Sequence, residues 1–228
     1  MPSALHVELN EPAGVPIAED LHSLLHAIHA SHISNLNSLH GRGKVLFAEG
    51  EPARGVYILR TGRATVSISS SEGRIFIMRV AQPGDVLGLN SVLRMSSYDE
   101  TVKTLEPCRT DFISRAELIE LIENSRAAAR AVLQLLSHEL TELTERTNSL
   151  LLPQTANAKL AKLLLKWGRE SSRIDRIFTH DEIAQMICSS RETVTRLLAS
   201  LTRLRIIQIT SDTIRILDDA ALKKMALR

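Results

Sequence analysis

Between Val45 and Ile113 the chain repeats one texture, a short run of β-branched, aromatic and aliphatic residues followed by a turn. The runs are Val45-Leu46-Phe47, Val56-Tyr57-Ile58-Leu59, Ala64-Thr65-Val66-Ser67-Ile68, Ile75-Phe76-Ile77-Met78, Val86-Leu87 and Phe112-Ile113. Turn signals separate them: Glu49-Gly50-Glu51-Pro52, Thr61-Gly62, Ser71-Glu72-Gly73 and Pro83-Gly84-Asp85. Gly50, Gly62, Gly73, Gly84 and Gly88 allow the positive φ angles of tight corners. Many short strands at regular spacing predict an antiparallel sandwich or roll. Ahead of it, Leu21, Leu24, Leu25, Ile28, Ile33 and Leu36 have mixed helical spacing, which predicts one or two short helices over 17–40.

From about residue 115 the pattern turns helical. A short helix is predicted around 115–122, and Asn124 or Ser125 can cap a long one after it. Within the long helix Leu133, Leu136, Leu140, Leu143, Thr147 and Leu150 recur at alternating spacings of three and four, an a/d seam. Glu139, Glu142, Glu145 and Arg146 lie off that seam. A narrow seam on so long a helix fits pairing with a second copy of the chain better than packing on its own domain. Pro153 should end or kink the helix. The expected organisation is α+β: an N-terminal β-roll with flanking helices over 1–114, a dimerisation helix over 115–152 and a third unit over 153–228.

The third unit is the basic one. Residues 151–228 hold 14 Lys/Arg against 8 Asp/Glu, whereas residues 1–150 hold 14 against 18. A cationic surface suits a phosphate-backbone partner. A helix over 155–168 presents Leu160, Leu163, Leu164 and Trp167 on one face and stops at Gly168. Thr179, with Glu182 three residues on, forms a capping box for a short helix ending at Ile187. Cys188-Ser189 is a turn, and a second helix capped by Ser189 or Ser190 runs to Leu201.

Ile183, Ala184, Ile187, Val194, Leu197, Leu198 and Leu201 would fix these helices together, leaving Arg191, Glu192, Thr195 and Arg196 on the outer face. Arginine can fork onto guanine O6 and N7, and glutamate can accept from cytosine N4. Ser190, Thr193 and Thr179 sit at helix starts, where backbone dipoles favour phosphate. Ile206-Ile207-Gln208-Ile209, the turn Thr210-Ser211-Asp212 and Thr213-Ile214-Arg215-Ile216 predict a hairpin, the wing of a winged helix-turn-helix reading double-stranded DNA.

Ser190-Arg191-Glu192-Thr193-Val194-x-Arg196 after Glu182-Ile183-Ala184 resembles the recognition helix of the CRP/FNR family of bacterial regulators. Upstream, Glu49-Gly50-Glu51-Pro52-Ala53, Val56-Tyr57-Ile58-Leu59 with Gly62, and Pro83-Gly84-Asp85-Val86-Leu87-Gly88 look like that family's cyclic-nucleotide-binding roll, so the resemblance spans about 17–217. It implies an effector-sensing jelly roll, a homodimer and a palindromic DNA site, with base contacts at Arg191, Glu192 and Arg196 and a half-site resembling TGTGA. RNA polymerase is an expected partner and a small-molecule effector is an open one.

The resemblance places the effector pocket at Gly88, Leu89, Asn90, Ser97, Tyr98 and Asp99. Members that bind cyclic AMP carry a glutamate where this chain has Leu89, and an Arg-Ser pair at the end of the following loop, which here ends Ser97-Tyr98-Asp99-Glu100. Carboxylates there would repel a phosphate, which argues against cyclic AMP. Arg94 is the one candidate replacement in that loop. The matching purine contacts would fall at Glu142 and Leu143, a further mismatch.

Six of the eight histidines, His6, His22, His26, His29, His32 and His40, precede residue 41. His22, His26 and His29 share a helix face, so a haem or redox sensor is the alternative reading, although polar surface histidines account for the pattern too. His138 lies off the seam and could face the roll. Two cysteines, Cys108 and Cys188, give neither a disulfide framework nor a zinc set, and an iron–sulfur cluster takes about four thiolates. Cys188 occupies a turn position where the family resemblance puts glycine. The strain would be about 1 kcal/mol if a left-handed geometry were kept. A readjusted turn is therefore expected, with redox use as the other reading.

No metal site is expected. No Ser/His/Asp set, phosphate-cradling glycine loop or metalloprotease spacing appears, so an enzyme is the last-ranked class. A cyclic-nucleotide-binding module without DNA reading is the other competing function. The absence of a membrane-spanning run or a basic, apolar N-terminal leader gives cytoplasmic as the expected location, with no membrane partner.

Overall fold

The computed structural model describes residues 35–151, 155–168, 173–175, 178–211 and 213–227. Eight strands build the N-terminal unit: β1 (Asn35–His40), β2 (Val45–Phe47), β3 (Gly55–Thr61), β4 (Ala64–Ser69), β5 (Ile75–Ala81), β6 (Val86–Leu87), β7 (Thr101–Thr104) and β8 (Cys108–Ser114). They form two antiparallel four-stranded sheets, ordered β1-β8-β3-β6 and β2-β7-β4-β5. Most consecutive strands thus fall in different sheets, as in a roll, with β4 and β5 alone paired directly as a hairpin. The side chains between the sheets are apolar, with Val56, Ile58, Leu59, Val66, Leu87, Val102 and Ile113 all buried.

Turns fix the register. Gly62 turns the corner between β3 and β4 at φ +84°, and a Cβ there would come within 2.5 Å of the Pro107 carbonyl. The Thr104 hydroxyl donates to the Gly41 carbonyl at 2.7 Å and accepts from the Lys44 amide, so an inward polar residue costs little.

The helical expectation over 17–40 fails at its end: Asn35–His40 is a strand pairing Ser38 with Thr110 and His40 with Cys108. Its ladder is interrupted between Asn35 and Ser38, where Asn37 takes φ 63° and its amide donates to the Asp111 carboxylate at 2.6 Å. This irregularity removes the alternation that marks a strand in sequence. Residues 17–34 lie outside the described residues.

Helix α1 (Leu89–Leu93) follows β6, and α2 (Arg115–Asn124) follows β8. Helix α2 starts with a full capping box in which Ser114 accepts from the Glu117 amide and Glu117 accepts from the Ser114 amide. The Ser125 hydroxyl accepts from Ala128, capping α3 (Arg126–Leu151) as the sequence suggests. Ala128, Ala131 and Val132 are buried in the roll core, and Leu135 and Leu136 pack against it. The same helix leaves Leu133 67% and Leu140 66% exposed, with Leu143 also exposed. His138 is exposed.

The C-terminal unit contains α4 (Ala156–Trp167), β9 (Arg173–Asp175), α5 (His180–Met186), α6 (Arg191–Arg203), β10 (Ile207–Ile209), β11 (Thr213–Ile216) and α7 (Asp219–Ala226). Leu160, Leu164, Ile183, Ala184, Val194, Leu198, Leu201, Ile207, Ile214 and Leu222 form its apolar cluster. Trp167 stacks on Phe178 at 4.5 Å. Strand β9 adds to the predicted hairpin, giving the order β10-β11-β9. Leu105, from the turn after β7, is buried in this same cluster with Val80 of β5 packed against it, so the two units share apolar surface.

Candidate nucleic-acid interface

Three local signals set the geometry of α5 and α6. Thr179 caps α5 by accepting from the Glu182 amide, while Glu182 accepts from the Thr179 amide at 2.7 Å. Ser190 caps α6 by accepting from the Thr193 amide and also donates to the Thr193 hydroxyl at 3.0 Å. Between the helices Ser189 N–H donates to the Ala184 carbonyl and Ile187 N–H to the Ile183 carbonyl, with Cys188 at φ 53°. This is a Schellman closure with a left-handed residue after the helix end. The expected readjustment of the turn is therefore wrong: the left-handed geometry is kept, because the Ser189–Ala184 bond requires it, and the cysteine carries the strain.

Val194, Leu198 and Leu201 bury one side of α6. Arg191, Glu192, Thr195 and Arg196 are all exposed on the other and, with Ala199, line a concavity of about 380 Å³. The four predicted readers of the outer face are thus brought together, at the start of a helix whose amide dipoles point outward. The Glu192 carboxyl is held below its ordinary value by its own backbone N–H first, and then by the Ser190 hydroxyl and the Arg191 charge. At neutral pH it is an ionised acceptor. Thr179, Ser190 and Thr193 are gathered at the two helix starts, where the Thr179 and Ser190 side chains serve first as caps and the Thr193 hydroxyl accepts from Ser190. Sequence reasoning missed His180: its Nδ1 lies 2.9 Å from Thr195 Oγ1, joining the first residue of α5 to the outer face of α6.

The residues assigned to an effector pocket differ in exposure and are engaged with one another and with the roll core. Leu89 and Tyr98 are buried. The Tyr98 ring stacks on Phe47 at 3.8 Å, and its hydroxyl donates to the Gly55 carbonyl at 2.6 Å. Burial pushes the Tyr98 hydroxyl's pKa upward. Gly88, at φ +79°, leaves room for that ring, since a Cβ there would sit 2.7 Å from it. The Asp99 carboxylate accepts from Arg94 at 3.0 Å, Ser91 at 3.3 Å and Asn90 at 3.5 Å. The donors of this loop thus already serve an internal anion, and the residues present do not fit a phosphate. Ser97 is exposed and bridges Pro52.

On α3, Leu133, Leu140 and Leu143 are exposed, whereas Leu136 is half-buried against the roll. The side chains of Thr147 and Leu150, and of Glu142, Glu145 and Arg146, lie outside the described residues, as do Pro153, His6, His22, His26, His29 and His32. His40 Nε2 is 2.8 Å from the Thr110 hydroxyl, and burial first, then Lys44, lowers its pKa. Among the described residues no helix is long and apolar enough to cross a membrane.

Residues 40–125 match the model of the cyclic nucleotide-binding domain, and residues 158–225 that of the Crp-like helix-turn-helix domain. The chain is 25% identical over 191 residues to the CRP-like cAMP-activated global transcriptional regulator of Mycobacterium tuberculosis, covering 81% of this chain and 85% of that one. It is 29% identical over 197 residues to the global nitrogen regulator of Synechococcus elongatus, covering 80% and 86%. Its fold is similar to the crystal structure of a CRP-family transcriptional regulator from Thermus thermophilus, with a TM-score of 0.71 at 23% identity over 84% of this chain and 97% of that one.

Proposed function

The chain belongs to the CRP/FNR family of transcription regulators, and from that premise we propose that it acts as a homodimer on a palindromic DNA site whose half-site resembles TGTGA. The observation that carries this reading is the exposed Arg191–Glu192–Thr195–Arg196 face of α6. Two forks onto guanine and one acceptor for cytosine, at the end of a helix that enters a major groove, suit a guanine- and cytosine-bearing half-site. Thr179, Ser190 and Thr193 contribute phosphate contacts that set register.

The division of labour follows the chain: a sensing roll up to 114, a dimerisation helix to 152 and the DNA reader beyond. The exposed Leu133, Leu140 and Leu143 are the dimer surface, continued by Thr147 and Leu150, and Leu136 divides its surface between the roll and the partner copy. Apolar side chains at this spacing on one helix are costly to leave in water, and a two-fold coiled coil removes them from it. The hinge lies near Leu151, and an effector acts by shifting the placement of the two DNA-reading units. That effector is not cyclic AMP: Asp99 puts a negative charge where a phosphate would need donors, and Arg94, Ser91 and Asn90 already bond it. The bound dimer works in the cytoplasm, through RNA polymerase, as a regulator rather than an enzyme.

Selection from a random duplex pool by the full-length chain tests this. Enrichment of inverted half-sites about one helical turn apart is expected. A pool that stays random overturns the reading.

A further inference from the structure

The outer face of α6 is not uniform in chemistry. Arg191, Glu192 and Arg196 edge its concavity, and Thr195 and Ala199, four residues apart and therefore adjacent on the helix surface, complete it. The Thr195 hydroxyl is committed within the protein. It is within hydrogen-bond reach of the Arg191 carbonyl at 2.9 Å. The same oxygen lies 2.9 Å from His180 Nδ1, so His180 holds the hydroxyl inward whichever of the two atoms donates. Turning the hydroxyl toward DNA would break both bonds. Thr195 therefore offers a ligand its γ-methyl, beside the methyl of Ala199.

His180 is well placed to hold this arrangement. It is the first residue of α5, directly after Thr179, whose reciprocal bonds with Glu182 fix the path of the chain at that point. Among the base edges of a major groove, the C5-methyl of thymine is the one apolar group, and it is matched by small apolar side-chain groups.

We propose that Thr195 and Ala199 form a thymine-methyl subsite within the recognition face, and that His180 is the positioning residue that keeps the Thr195 hydroxyl turned inward. This rests on the DNA-reading assignment and adds a third base to the guanine and cytosine read by the charged residues. It also predicts that base preference at this point is set by a methyl group and not by a hydroxyl.

The test uses the full-length chain and duplexes carrying its selected palindrome, read by fluorescence anisotropy. Each half-site thymine is replaced in turn, symmetrically, by deoxyuridine, which deletes only the methyl. One thymine position should lose roughly fourfold in affinity per half-site, the size expected for one buried methyl. Thr195→Ser should abolish that difference while leaving discrimination at the guanine positions intact. His180→Ala should shrink it, and His180→Asn, which keeps a hydrogen-bonding group near the Nδ1 position, should restore it. Equal binding of thymine and uracil duplexes at every position, a selected half-site without thymine, or a Thr195→Ser protein that still discriminates would overturn the subsite while leaving DNA reading in place. His180→Ala with full discrimination would overturn the positioning role. Failure to select any sequence would overturn the DNA-reading assignment itself.

Discussion

The amide of Ser189 donates to the carbonyl of Ala184 at 2.9 Å, and this one bond holds Cys188 in the left-handed region at φ 53°. The turn between the two DNA-facing helices is thus set by a backbone closure that glycine satisfies without strain and cysteine does not. Arg205, at φ 56°, stands in the same relation to the end of α6, with Ile206 N–H donating to the Leu201 carbonyl at 3.0 Å.

Cys188→Gly should therefore stabilise the chain. Relief of a left-handed side chain is worth about 1 kcal/mol, less the added freedom of glycine in the unfolded chain. The expected net gain is small and positive, read as a raised urea midpoint at an unchanged slope. A lowered midpoint would show that the thiol makes a contact outweighing the strain.

The two thiols should separate cleanly in reactivity. Cys108 is buried, bonded to the Arg63 and Glu106 carbonyls, and its pKa is raised by burial first and by the Glu106 charge second. Cys188 is exposed. A thiol-reactive chromogenic disulfide should titrate one fast equivalent in the native protein and a second only in denaturant. Two fast native equivalents would contradict the burial of Cys108.

Leu140→Glu should yield a monomer whose melting temperature falls only by the stabilisation that dimerisation supplies, because Leu140 is 66% exposed and contributes nothing to the roll core. Leu136→Glu should both separate the copies and lower the melting temperature further, since Leu136 packs against that core. Sedimentation velocity with thermal melts distinguishes the two. A Leu140→Glu dimer would move the interface elsewhere.

How much of this was legible in sequence depends on where each residue's partner lies. The strands at 45–47, 64–69 and 75–81 announce themselves through β-branched runs between glycine turns. Strand β7 does not, because Thr101-Val102-Lys103-Thr104 has one aliphatic residue, and its second inward position is a threonine satisfied by carbonyls of Gly41 and Lys44. Nor does β1, whose identity comes from pairing with a strand about seventy residues later, across an irregularity at Asn37. Strand β9 holds a single apolar residue, Ile174. The outer face of α6 was readable because caps and apolar spacing are local signals. The His180–Thr195 bond was not, since it depends on the angle between two helices. The left-handed backbone at Cys188 was not legible either, since the bond that imposes it joins Ser189 to Ala184 across the turn.

The buried position of Leu105 ties the roll to the DNA-reading unit. Truncating it to alanine removes a side chain from the core of the C-terminal cluster although the residue belongs to the roll. A loss of about 2–5 kcal/mol is expected from a buried leucine. Native-state hydrogen exchange should show it as faster exchange in α5 and α6 than in β3 and β8. Unchanged protection of α5 would mean that the two units do not rely on this contact.

The central claim is that two copies, joined along α3, present two Arg191–Glu192–Arg196 faces to one palindrome. Calorimetric titration of the full-length chain into a duplex bearing the selected site, and into the same duplex with one half-site scrambled, addresses it most directly. The account predicts two chains per intact duplex and a loss of at least about a hundredfold in affinity on scrambling, in keeping with roughly 1–3 kcal/mol per mismatched base pair. One chain per duplex, with equal affinity for the intact and scrambled sites, would contradict it.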